Sequence, residues 1–381
     1  MDSSQSGSRK RAKTGRDSST STSTRRTSAY DPAFEQHLVD HGVYPARYGG
    51  VRNLQKPDNW EEINTRLALP RASLSPSRFK DEDFQDFTEK NEEALTESEI
   101  MNKAFPIIAG TTSIPSQENL RFTNLKDLTD GSITKAQPDS YDGAHPEELH
   151  EKIREELGPY IVPSTNTAAP CLPNFFTEGK GPKGLTDVCK SQAMYDGALG
   201  ARGIHELRSY VDPETAYDNN AYTITSTYHG GTLRLYTTHP TQSSNPKQST
   251  NFRMTQLRGW DMTDNPDTFR QGATAWRNAR SMAKEKRQEL IAAANAKAIN
   301  ARAPGFESST QSFVSLSSNE LTRSESETSA DELALDLGMF QSTNYTCPMQ
   351  ARAKALHKES SNRRVKKAYQ AKKRFGTDSA V

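Results

Sequence analysis

Apolar positions along this chain follow two periods, and the switches between them mark out an ordered centre. It begins near Tyr30, where "DPAFEQHLVDHGVYP" carries Phe34, Leu38 and Val39 at helical spacing, with Asp31 as N-cap and Pro32 at the first helical position. Residues 57–70 and 80–110 are predicted to be mainly helical, the latter through Ala94, Leu95, Ile100, Met101 and Ala104. "LRFTNL" and "GSITKAQPDSYDG" read as short strands and turns. "HPEELHEKIREELGPYIVP" reads as a helix on Leu149, Ile153 and Leu157 that stops at Gly158 and Pro159. "CLPNFF" has the texture of a buried strand, and "TDVCKSQAMYDGALGARGIHELRSY" that of a helix interrupted by small residues. "AYTITSTYHGGTLRLYTTHP" is a hairpin turning at Gly230-Gly231, and a long helix spans about 266 to 300. This order of elements predicts an α/β (mixed α and β) domain, with a central mixed sheet flanked by helices.

Composition narrows where that domain lies. Only 33% of the 381 residues are hydrophobic and mean hydropathy is -0.86, too lean for the whole chain to be packed core. The net charge of +1 is unevenly spread: residues 1–28 hold seven Lys/Arg against two acids, and residues 351–381 hold ten against two. Residues 29–350 are left with 32 basic and 44 acidic side chains, a net of -12, so any nucleic-acid contact is expected through the basic tails or a local groove. Residues 1–28 are expected to be a disordered basic Ser/Thr-rich tail, 29–300 the folded domain with an N-terminal helical extension, 301–350 a Ser/Glu-rich linker, and 351–381 a basic C-terminal tail. Arg9, Lys10, Arg11 and Lys13, with Arg25 and Arg26, form the kind of basic cluster that nuclear import receptors read. Three widely spaced cysteines support neither a disulfide framework nor a zinc knuckle, and no apolar run reaches the roughly 18 residues of a membrane span. The expectation is an intracellular, soluble, nuclear protein without a membrane contact.

Candidate chemistry centres on "LPNFFTEGKGPKG". It lacks the spacing of a Walker A phosphate loop. As a strand, its two-residue period points Glu178 and Lys180 to one face and Gly179 away. Upstream, Pro138-Asp139 offers a second carboxylate, with Asp142 three residues on. Two carboxylates on a hard divalent cation beside a lysine suit phosphodiester hydrolysis. On the following helix Leu185, Val188, Gln192, Tyr195 and Leu199 share a face, which places Gln192 towards the sheet, where a polar side chain needs a partner or a cavity. His37 and His41, four apart, share a helix face but have no third ligand nearby in sequence, so they do not by themselves make a metal site. Arg270, Arg277, Arg280, Lys284 and Arg287 recur as on a solvated helix face.

Pro138-Asp139, then Glu178-Gly179-Lys180, then Gln192 on a helix together resemble the PD-(D/E)xK nuclease fold. That resemblance implies Mg (or Mn) held by Asp139 and Glu178. It also implies an added acid from the first core helix, for which Glu92, Glu93, Glu97 and Glu99 are the candidates and Glu93 is preferred. The 39 positions between Asp139 and Glu178 require the helix at 145–157 to be an insertion. More broadly, "QPDSYDGA", "LPNFFTEGKGP", "YDGALGARG", "DNNAYTITSTYHGGTL" and "FRQGATAWRNAR" resemble fungal proteins that share one domain of unknown function. Two readings stand open: a metal-dependent nuclease-like enzyme, and a non-catalytic nuclear module that binds nucleic acid or a basic protein.

Overall fold

The computed structural model describes residues 26–50, 55–246 and 248–300. The basic clusters of the two tails and the Ser/Glu-rich linker lie outside them, except that residues 26–28 join the fold. There the Thr27 amide donates to the Ser132 carbonyl and the Thr134 amide donates to the Thr27 carbonyl. Helix α1 (Phe34–Asp40) leads into the short strand β1 (Val43–Tyr44). Helices α2 (Trp60–Leu67), α3 (Asp81–Glu93), α4 (Glu97–Glu99) and α5 (Phe105–Ala109) follow, with a π-helical turn at Ile100–Ala104. Then come β2 (Ser116–Glu118), β3 (Ser140–Ala144), α6 (Glu151–Ile161), β4 (Cys171–Lys180) and α7 (Thr186–Val211). Strands β5 (Thr223–His229), β6 (Thr232–Gln242) and β7 (Thr250–Asp261) precede α8 (Pro266–Asn300).

The seven strands form one mixed sheet in the order β1-β7-β6-β5-β4-β3-β2. Strands β4 and β5 are parallel, joined by α7 as a crossover, while β3 pairs antiparallel on the other side of β4. Alternation along β4 divides the core. Phe176 packs with Ala193, Met194, Tyr195 and Leu199 of α7, whereas Phe175 packs against Trp276 of α8, ring centroids 5.1 Å apart. Helix α6 lies between β3 and β4. Its Ile153 and Ile161 close a third apolar cluster with Leu172, Ile204 and Ile291.

Several local expectations yield to this packing. The residues 120–125 form no strand, although Phe122 and Leu125 are buried. Helix α6 does not stop at Gly158 but continues through Pro159, because Ile161 is drawn wholly into the core and the Val162 amide bonds the Gly158 carbonyl. Helix α7 is unbroken. Its small residues are where neighbours press closest: a Cβ on Gly200 would lie 2.6 Å from the Phe176 ring and one on Gly197 2.6 Å from Thr238 Oγ1. They let 26 residues lie flat on the sheet. Strand β4 begins at Cys171 and includes Pro173, tolerated where the β3 ladder slips between Asp142 and Ala144 and before pairing with β5 starts at Phe175. The hairpin turns at Gly230 and Gly231, both at positive φ. Strand β7 was not anticipated.

The α8 arginines are not a solvated face. Arg280 lies in a bidentate pair with Asp142, at 2.6 and 2.7 Å, and Arg287 donates to Asn174. Arg277 donates to the carbonyls of Ile107 and Ile108. Leu95 and Leu185, placed on apolar faces by their spacing, are exposed where the chain breaks before α4 and α7.

Candidate functional site

Ionisable side chains converge at the C-terminal end of β4. Ser140 pairs with Thr177 across the antiparallel ladder, so the next position sets Asp139 opposite Glu178. Side chains opposed in this way project to the same face of a sheet. Asp139 Oδ2 accepts a hydrogen bond from the Gly179 amide at 2.7 Å, which ties the end of β3 to β4. Asp142, three residues on, takes the α8 face with Arg280 and is no part of this group.

Lys180 is fully buried. Its Nζ donates to Glu97 Oε2 at 2.8 Å and lies 3.8 Å from Glu178 Oε2. Glu97 is the acid that the N-terminal helices deliver. Glu92 and Glu93 are exposed at the end of α3, and Glu99 is engaged as a cap, accepting from the amides of Leu95 and Thr96 and from Lys103. The chain breaks between α3 and α4, and Thr96 and Glu99 form a capping box there. Such a box restarts the helix one residue before Glu97. The Thr-x-x-Glu spacing in "LTESE" is the signal that locates Glu97, and reading 80–110 as one helical stretch passes over it.

Helix α7 contributes from the opposite side. Gln192 is half-buried and its Oε1 has no hydrogen-bond partner. One turn on, Asp196 is buried beside Glu178, and its charge is among the causes that raise the Glu178 pKa. Helical spacing from Gln192 identifies Asp196, which the sequence reading missed. Both Glu178 carboxylate oxygens are buried without a donor.

Crowding of carboxyls around one lysine sets the electrostatics. Burial, followed by the Glu178 charge, raises the Asp139 pKa well above the carboxylate range. Burial and then Asp196 do the same to Glu178. Asp196 is raised to about 7, chiefly by burial. For Lys180, burial acts to lower the pKa, but the Asp139, Glu178 and Glu97 carboxyls outweigh it and the net direction is up, so its charge is retained. Burial raises the Cys189 thiol; its Sγ donates to the Glu178 carbonyl.

A cavity of about 200 Å³ opens beside the cluster, lined by Thr186, Cys189, Lys190, Thr227, His229 and Arg234 among others. Thr227 is the β5 partner of Glu178, and Arg234 is the β6 partner of Thr227. The cavity therefore continues the face that carries Glu178, and Lys190 and Arg234 give it a local positive charge within an acidic domain.

A mixed sheet flanked by helices, with a buried carboxylate and lysine cluster where its central parallel pair ends, defines the class of this domain. The chain belongs to the family described as domain of unknown function DUF7924, whose model matches residues 65–294. That span contains Glu97, Asp139, Glu178, Lys180 and Asp196. Comparison with curated proteins returns no match, nor does comparison with solved structures. Among the described residues no helix is long and apolar enough to cross a membrane.

Proposed function

We propose that this domain is a metal-dependent, nuclease-like hydrolase of phosphodiesters, with nucleic acid as the substrate class. The observation that carries the reading is the pair of buried Glu178 oxygens without a donor, set among further carboxyls around one lysine. Burying a carboxylate unpaired is expensive, and an all-oxygen group of this kind fits a hard divalent cation such as Mg or Mn. Asp139 and Glu178 would hold it, and when bound it would polarise a phosphoryl oxygen and lower the pKa of a water. Lys180, kept charged and oriented by Glu97, would stabilise negative charge developing on the phosphate. Asp196 adds a further buried acid to the same space, and Gln192 offers it a polar group. The cavity bearing Lys190 and Arg234 suits a phosphate of the backbone and supplies the local attraction that the net charge of the centre denies.

Burial itself favours the second reading. Lys180 and Glu178 are at most 1% exposed, so the cluster also suits a non-catalytic module whose cavity binds without cleaving. Incubation of plasmid and oligonucleotide substrates with the full chain and Mg or Mn separates the two. The expected result is cation-dependent cleavage, abolished by Lys180→Ala and by Glu178→Gln, with a cation-dependent rise in melting temperature that Glu178→Gln removes. Absence of both cleavage and cation effect in the wild-type chain refutes the hydrolase and leaves the binding module.

A further inference from the structure

The third ligand that His37 and His41 lack in sequence arrives from a distant loop. His37 lies in α1 and His41 caps its end, with ring centroids 4.6 Å apart. Asp130 Oδ1 sits 3.2 Å from His37 Nε2. Among the described residues, His37, His41 and Asp130 are the one group of three His, Cys, Asp or Glu whose ligand atoms all lie within 4.8 Å of one another. We propose that they form a binding site for a transition-metal dication of the zinc class, separate from the acid cluster on β4.

Four features support it. First, His41 Nδ1 is 2.8 Å from the His37 carbonyl oxygen, which can only accept. That nitrogen must carry the proton, so Nε2 presents its lone pair, the arrangement in which a backbone carbonyl orients a ligating imidazole. Second, tetrahedral ligands about 2.0 to 2.1 Å from a zinc ion are about 3.3 Å apart, which is already the His37–Asp130 separation. Third, the loop is held in place. The Ser132 hydroxyl and amide both donate to Asp130 Oδ1, at 2.6 and 3.0 Å, and Thr27 bridges to the next residues through Ser132 and Thr134. Fourth, Asp130 is exposed while the two histidines are half-buried, so an ion could enter from solvent and keep a water or the nearby Ser132 hydroxyl, 3.1 Å from His37 Nε2, as its fourth neighbour.

Two imidazoles and one carboxylate select zinc, cobalt or nickel over magnesium or calcium, which favour oxygen alone. The bland alternative is a solvent-screened surface contact between His37 and Asp130. That contact does not account for the approach of His41 to the same two groups. Bound metal would cross-link α1 to the loop before β3 and fasten the N-terminal segment, most of which precedes the matched family span.

The test is calorimetric titration of ZnCl2 into the full chain, untagged and stripped of transition metal, in excess MgCl2 so that the cation site proposed at Asp139 and Glu178 stays occupied throughout. One zinc per chain is expected, with a rise in melting temperature reversed by EDTA. His41→Ala and Asp130→Asn should each weaken binding more than about tenfold, while Glu178→Gln should leave it unchanged. Asp130 is exposed and His41 half-buried, and far-ultraviolet circular dichroism checks that each variant folds. No zinc binding by the wild-type chain overturns the proposal. So does zinc binding that both variants retain at wild-type affinity, or that Glu178→Gln abolishes.

Discussion

Asp196→Asn should make the protein more stable, by an amount that grows as pH rises above about 4 and levels off above about 7. Asp196 is buried beside Glu178, and burial first of all raises its pKa from 3.8 to about 7. A carboxyl raised in the folded state keeps its proton there after the unfolded chain has lost it. Folding then takes up a proton between about pH 4 and pH 7, and stability falls as pH rises through that window. The full cost, reached above the folded pKa, is about 4 kcal/mol at about 1.4 kcal/mol for each pH unit. Asparagine keeps the shape of the side chain and ionises in neither state. In urea unfolding with EDTA present, the variant should match wild type near pH 4 and exceed it by up to about 4 kcal/mol at pH 8. Lys180 does not alter the window, because its raised pKa leaves it charged in both states from pH 4 to 8. Divalent cation should shrink the difference at pH 8 by supplying the missing charge to the wild-type chain. A variant destabilised at pH 8, or displaced equally at both pH values, would refute the account of the cluster as a strained group of acids.

Arg280→Ala should cost about 3 to 5 kcal/mol, because it leaves Asp142 buried and unpaired on the α8 face. Thermal unfolding should show most of that loss recovered in the double variant Arg280→Met, Asp142→Leu. His239 is buried within β6, and burial, then Arg253, lowers its pKa to about 4. A depressed histidine contributes stability above its unfolded pKa of 6.5 that is lost as pH falls towards 4, here about 3 kcal/mol. His239→Leu should flatten the acid limb of the stability curve between those values by that amount, measured by urea unfolding at pH 4, 5.5 and 7; an unchanged limb would show the histidine is not the titrating group.

What local spacing determined about this protein is the identity of most elements and the sidedness of a few residues. The two-residue period of a strand puts Glu178 and Lys180 on the same face of β4 wherever that strand lies, and Gly230-Gly231 turns the hairpin whatever packs on it. These are consequences of backbone geometry over a few bonds. Tertiary structure decided the rest. Antiparallel pairing in register, with α6 intervening in the chain, set Asp139 against Glu178 and sent Asp142 to the opposite face. The break before α4 brought Glu97, rather than Glu93 on α3, to Lys180 across 83 residues of sequence. Arg280 and Arg287, spaced like solvent-facing residues, are buried because the sheet beneath α8 supplies Asp142 and Asn174. Asp130 reaches His37 across 93 residues. A residue's spacing records which neighbours share its own helix or strand, whereas the charge it meets across a packed layer depends on chain that folds back from elsewhere. In this protein the candidate chemistry lies at those long-range meetings.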